Sequence, residues 1–411
     1  MASMAAPAPA RPVAALGLVL LLGLAVVLNY IDRGAIAIAA PLLKPELGLS
    51  ATQFGIAVSA FFWVYAPIQY VVGWACDRWC VYRLIAAGLA LWAVSTMLMG
   101  LVGGLASLIV LRLLLGLGES VTFPGGAKII TRHVAAENRG MANGMIAAGI
   151  ALGPVVGTLG GGLIVAAYGW RPMFLLFGLV TVLWVPFWLA RARRLPAFAA
   201  ANREPTVAVA GIVRQRAVWM MGAGHFVANY TLYFVVTWLP LYLVQSRGLT
   251  IKQMTYLATL GFLAQAVSAM LLGWTSDAWT RSGRSEAAIR RGAMVGGNIL
   301  LAVAVIGLMR AQSTTHIALW LVLIGAANAT GGVNLYAIAQ IFAGPRAAGS
   351  FIGIQNATGN MAGIVGPVIT GMIIDATGSY DNSFWVTAGV AICGALWWAF
   401  AVPNIRPLTL E

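Results

Sequence analysis

The chain has 411 residues, of which 61% are hydrophobic and only 9% charged, whereas charged residues make up about a quarter of an ordinary soluble domain. That composition excludes a water-soluble globule and makes lipid the principal solvent. The formal net charge of +14 would suit a polyanion partner, but no basic stripe is interleaved with stacking aromatics, so nucleic acid is not expected.

A membrane-spanning helix needs about 20 mainly apolar residues. Twelve such stretches follow one another, at 14–43, 51–75, 84–103, 105–131, 138–166, 171–190, 217–246, 252–275, 290–310, 316–343, 347–374 and 383–403. They lack the apolar–polar alternation of barrel strands, and the expected fold is an all-α polytopic membrane protein with twelve transmembrane helices. The expected layout is a tail at 1–12, a six-helix bundle at 13–190, a basic linker at 191–216, a second six-helix bundle at 217–403 and a tail at 404–411. No small-residue cleavage site follows the first apolar run, which reads as an uncleaved helix.

With both termini on the cytoplasmic side of a bacterial inner membrane, eighteen of the 25 Lys and Arg fall in cytoplasmic segments. Five fall outside (Lys44, Arg171, Arg247, Lys252, Arg310) and two, Arg33 and Arg112, lie within helices. The positive-inside rule thus accounts for the charge. Cys76, Cys80 and Cys393 have no His nearby and read as filler, not as a metal set.

The halves repeat. The second helix ends in GWACDRWCVYR, with Gly73, Asp77 and Arg78, and the eighth ends in GWTSDAWTRSGR, with Gly273 and Asp277, 200 residues later. Helices five and eleven each carry a Gly-Pro pair, Gly153–Pro154 and Gly366–Pro367, flanked by Gly at helical spacing. Such spacing lets helices approach closely, for packing alone or for sliding. An internal repeat at this period is the mark of a transporter built from two pseudo-symmetric bundles.

Charges inside a spanning helix cost about 2.5–3.5 kcal/mol each on insertion scales, so each is a functional candidate. Asp32, Arg33, Arg112 and Glu119 are those charges, all in helices one and four. Arg112 and Glu119, two turns apart, share a face about 10.5 Å apart along the axis. Asp32 and Arg33 diverge by about 100°. One arrangement aims Arg33 at the central cavity and Asp32 at helix four, where Arg112 neutralises it; the alternative is a closed network that only fixes packing. Phe61, Tyr65 and Gln69 form one stripe on helix two, and His225, Asn229 and Tyr233 another on helix seven, each a pocket wall or simple packing. Trp238 reads as marking the outer end of helix seven.

GWACDRWCVYR resembles the loop signature of the major facilitator superfamily, which implies that Gly73, Asp77, Arg78 and Asp277 act in gating. NYIDR at 29–33, FFWVYAPIQ at 61–69, RLLLGLGES at 112–120, YTLYFVVTWLPLYL at 230–243 and QNATGNMAGIVGP at 355–367 resemble its anion:cation symporter family. That resemblance implies substrate contacts at Arg33, Tyr30, Tyr65, Asn334, Tyr336 and Asn356. It also implies proton coupling through Asp32 and Glu119, tuned by Arg112. Helix five departs from the sugar-acid members: AAGIALG around Ile150 lacks their polar amide.

The expected function is proton-coupled import of a small organic carboxylate, such as a sugar acid, by a monomer working by alternating access among membrane lipids, with the proton as coupling ion and no other cofactor. Alternatives are uptake of an aromatic or dicarboxylic acid by the same mechanism, or a proton-driven exporter. No enzyme motif is present: neither HExxH, nor a nucleophile elbow, nor a phosphate-binding Gly-Lys loop.

Overall fold

A computed structural model describes residues 12–134, 139–193 and 209–408. Most of the expected linker and the outermost parts of both tails therefore lie outside the described residues.

Twelve helices are long and apolar enough to cross a membrane. They are α1 (Pro12–Glu46), α2 (Ala51–Arg78), α3 (Val81–Met99), α4 (Leu105–Ile130), α5 (Arg139–Tyr168) and α6 (Trp170–Ala192). In the second half they are α7 (Arg216–Ser246), α8 (Ile251–Arg281), α9 (Glu286–Arg310), α10 (Thr314–Gly344), α11 (Ser350–Thr377) and α12 (Asp381–Ala401). We call the end of the molecule with the short loops at 47–50, 247–250 and 378–380 the arginine-poor face, and the opposite end the arginine-rich face.

Local chemistry explains the boundaries. Ser50 caps α2 and Thr250 caps α8, each accepting from the backbone N–H of a Gln three residues on whose side chain accepts from the cap N–H in return. These paired capping boxes carry the same 200-residue offset as Gly73 and Gly273, a further correspondence between the two halves. Between α10 and α11 the chain breaks at Gly344, whose φ of 61° only glycine adopts without strain. α4 is interrupted directly after Glu119, resuming at Thr122. Pro124 has no N–H to give to the Ser120 carbonyl, which removes the bond that would hold this turn.

Within each half, glycines bring helices into backbone contact. Gly149, Gly153 and Gly157 of α5 lie against Gly23, Tyr30 and Ile31 of α1. Gly359 and Gly366 of α11 lie against the rings of His225 and Tyr230 of α7. The Gly-Pro helices thus serve as the close partners of the first helix of each half. A Cβ on Gly153 would stand 2.5 Å from the Tyr30 Cβ and 2.9 Å from the Val27 carbonyl. Gly153→Val is expected to lower stability by about 1–3 kcal/mol, as overpacking does. Thermal unfolding in detergent tests this, and an unchanged midpoint would show that α1 and α5 have room to separate.

Contacts between the halves gather toward the arginine-poor face. Asp375, in the last turn of α11, accepts from the backbone N–H groups of Ala51 (2.9 Å) and Thr52 (2.8 Å), so one half caps the first turn of a helix of the other. Below it, Gly371 abuts the Ala51 carbonyl and Gly55 abuts the Pro367 carbonyl, leaving no room for a side chain. Gly162 of α5 meets Thr255 of α8 in the corresponding place. Trp238 is wholly buried, edge-on to Phe54 of α2 at 5.6 Å, so it belongs to this seam.

Candidate functional site

The four intramembrane charges lie in the first half, but the structure pairs them differently from the expected arrangement. Arg33 is not left open to the cavity by its acids: its Nε and Nη2 both donate to Oε2 of Glu119, at 3.1 and 2.8 Å. Asp32 does not meet Arg112. It turns to α3 and α6, where its Oδ2 accepts from Trp92 Nε1 at 2.6 Å and Thr181 Oγ1 at 3.1 Å. The two neighbours diverge as a helix requires, but Asp32 points into its own bundle. Arg112, 1% exposed, donates to the Val58 carbonyl at 3.0 Å and lies 5.1 Å from the centre of the Phe61 ring. The seven-residue spacing does put Arg112 within electrostatic reach of Glu119.

Arg33 is the centre of an aromatic cradle. Its guanidinium carbon lies 5.2 Å from the Tyr30 ring centre, 4.9 Å from Phe61 and 4.7 Å from Tyr65. Rings at this distance stabilise a desolvated cation and orient its plane. Its side chain is 15% exposed while that of Glu119 is fully buried. Nη1 makes no hydrogen bond among the described residues, so one donor edge remains for a ligand. Glu119 Oε1 is likewise unpartnered, although the buried amide of Asn29 lies beside the carboxylate.

The second half supplies a neutral polar wall. Tyr336 donates to Asn356 Oδ1 at 3.4 Å and stands edge-on to His225, while Tyr233 donates to Asn360 Oδ1 at 2.8 Å and packs on Phe62 of α2. Tyr336 and Tyr233 lie within electrostatic reach of Arg33, Tyr30 and Tyr65, which places the wall opposite the cradle. Tyr336, about two turns from the arginine-rich end of α10, is 39% exposed beside this wall. Asn334 is the exception among the expected contacts. It is fully buried, gives its amide to the Thr330 carbonyl and accepts from Arg290. Gly73 and Arg78 occupy the last turns of α2 at the arginine-rich face; the side chains of Asp77 and Asp277 lie outside the described residues.

Trp92, Thr181, Asn29 and Asn360 were not singled out by sequence. Trp92 and Thr181 are neutral residues in apolar helices, and nothing local separates them from core. The Gln355 side chain, 3.5 Å from His225, also joins this region.

Comparison with known proteins follows the same lines. The profile of the Major Facilitator Superfamily matches residues 22–284 and 253–409. The hexuronate transporter of Bacillus subtilis (strain 168) is 28% identical over 405 residues, covering 96% of this chain and 95% of its own. A Cupriavidus necator protein named "Probable sulfoacetate transporter" is 30% identical, covering 89% of each chain. Among solved structures, an inward-facing, unoccupied bacterial homolog of the human lysosomal transporter Spinster superposes with a TM-score of 0.84 at 18% identity, covering 96% of this chain and 98% of the other.

Proposed function

This chain belongs to the Major Facilitator Superfamily, and from that premise we propose that it imports a small organic acid together with a proton by alternating access. The observation that carries the reading is the Arg33 guanidinium: cradled by three aromatic rings, held on one edge by Glu119, still 15% exposed and unpartnered at Nη1 among the described residues. A carboxylate takes two parallel hydrogen bonds from such a fork. The names of the relatives, which concern a hexuronate and sulfoacetate, support an acid of small size.

Coupling follows from competition. The ionised Glu119 occupies the Nε–Nη2 edge of Arg33, one of the two edges through which a guanidinium can grip a carboxylate at two points. Protonating Glu119 weakens its claim on the guanidinium and releases that edge to the substrate. Proton and acid then enter together, and loss of either restores the ion pair. Arg112, close enough to act on Glu119 through the field, tunes this exchange. Tyr336, Asn356 and Tyr233 face the far end of the ligand and suit hydroxyls or other neutral polar groups. Helix α5 faces α1 through glycines around Ile150 and adds no such contact, so the ligand's polar tail rests on the second half.

The gradients across the membrane, not the captured state, set the direction. With the arginine-rich face in the cytoplasm, the seam at the arginine-poor face closes the outside, and the site opens inward. A negative-inside potential opposes entry of an anion by about 2.3 kcal/mol per charge per 100 mV, which a co-transported proton offsets. The reading is tested by uptake of labelled glucuronate, galacturonate and sulfoacetate into proteoliposomes with an inward proton gradient, with and without a protonophore. Accumulation above equilibrium that collapses with the protonophore is the expected result. Equilibration without accumulation would overturn the coupling, and no movement of any of the three would overturn the substrate class.

A further inference from the structure

Asp32 is 1% exposed, lies one residue from Arg33, and is paired with no cation among the described residues. Arg33 is turned to Glu119 and Arg112 to a backbone carbonyl. A buried carboxylate without a counter-charge is costly as an ion, so its charge state depends on the few hydrogen bonds it receives. Here these are the two from Trp92 on α3 and Thr181 on α6, both to Oδ2, while Oδ1 has no partner.

We propose that Trp92 and Thr181 are positioning residues that hold Asp32 for proton loading at its bare Oδ1 and set the pH at which it loads. The inference rests on the reading above that this transporter carries a proton. Trp92 and Thr181 cannot themselves titrate near neutrality, so they stabilise the ionised acid without competing for the proton. Two donors on one oxygen leave the other as the atom that takes the proton. The indole is fixed in turn by its surroundings: Trp92 is fully buried, and a Cβ on Gly118, next to Glu119 in sequence, would stand 2.7 Å from the Trp92 backbone nitrogen. α3 is thereby clamped to the helix that carries Glu119, and Asp32 is hydrogen-bonded to α3. The charged groups that face Asp32 are few. Glu119 on α4 acts on it through the field, Arg33 adjoins it on α1, and α3 and α6 contribute the two neutral donors.

The test is an infrared titration of carboxyl protonation on the full chain in lipid vesicles, with the Asp32 band assigned by its loss in Asp32→Asn. Because each donor bonds to the ionised form, removing one favours the protonated form. Trp92→Phe and Thr181→Val should each move the Asp32 titration about one pH unit toward alkaline, a tenfold rise in proton affinity, and Thr181→Ser should leave it in place. A role in packing alone would lower the unfolding temperature and leave the titration unmoved; that result in Thr181→Val, which conserves volume, overturns the inference even if Trp92→Phe fails to fold. If no titrating band is lost in Asp32→Asn, Asp32 carries no proton and the inference falls with that part of the mechanism, while glucuronate uptake decides separately whether an acid is carried.

Discussion

Arg33→Ala is expected to abolish uptake and destabilise the protein, while Arg33→Ala combined with Glu119→Gln recovers the fold but not the transport. The single change strips a fully buried carboxylate of its only hydrogen-bonding cation among the described residues, and breaking such a pair from one side costs about 3–5 kcal/mol unless the acid takes up a proton. Neutralising the acid removes that penalty, since an amide needs no counter-charge. Uptake behaves otherwise, because the substrate loses the fork that grips it. Two charge-assisted bonds, each worth about 1.5–3 kcal/mol, put the loss on the order of 100-fold or more. Arg33→Lys keeps the charge and so the fold, but a point charge cannot reproduce the two-point grip. Unfolding temperature and uptake, measured side by side on the four proteins, separate these effects; transport by the double variant would remove Arg33 from the site.

The second large effect is expected at the seam between the halves. Gly55 stands with its missing Cβ 2.3 Å from the Pro367 carbonyl, a backbone atom that cannot swing aside. Gly55→Val should wedge α2 from α11 and stop the arginine-poor face from closing. Each bundle has its own glycine-packed core away from this seam, so the fold should survive and the cycle should not: uptake falls to background while the unfolding temperature changes little. Cysteine labelling near Ser50 reports the state directly, with faster labelling expected in Gly55→Val. Asp375→Asn should act in the same direction but more mildly, since loss of a helix cap costs about 1 kcal/mol, roughly fivefold in an equilibrium. Unchanged labelling in both variants would show that closure of this face does not depend on α2 meeting α11.

Much of the architecture was legible in the residues. Hydropathy locates spans because an unsatisfied backbone in lipid is too costly to tolerate, and the twelve stretches match the twelve helices within a few residues at most ends. The intramembrane charges were legible for the same reason. Their partners were not. Helical geometry says that Asp32 and Arg33 diverge, but which neighbour each meets depends on how α1 is rotated within its bundle, and that is decided by the glycines of α5 pressing on Gly23, Tyr30 and Ile31. Opposite charge suggested Arg112 for Asp32, yet two uncharged residues 60 and 149 positions away hold it instead. Asn334 illustrates a further limit: one step along α10 from Leu335 and two from Tyr336, it faces a different neighbour and is consumed by Arg290. The paired capping boxes, by contrast, were open to reading, since Ser-x-x-Gln and Thr-x-x-Gln ahead of apolar runs announce helix starts.

The two halves share a plan but not a chemistry. All four intramembrane charges of the site sit on α1 and α4, while the facing wall on α7, α10 and α11 offers phenols, amides and one imidazole. Descent can therefore rework the neutral wall one residue at a time, trading hydroxyl contacts for apolar ones, without disturbing the charged helices. A scaffold divided in this way can change what it carries without touching its charged helices.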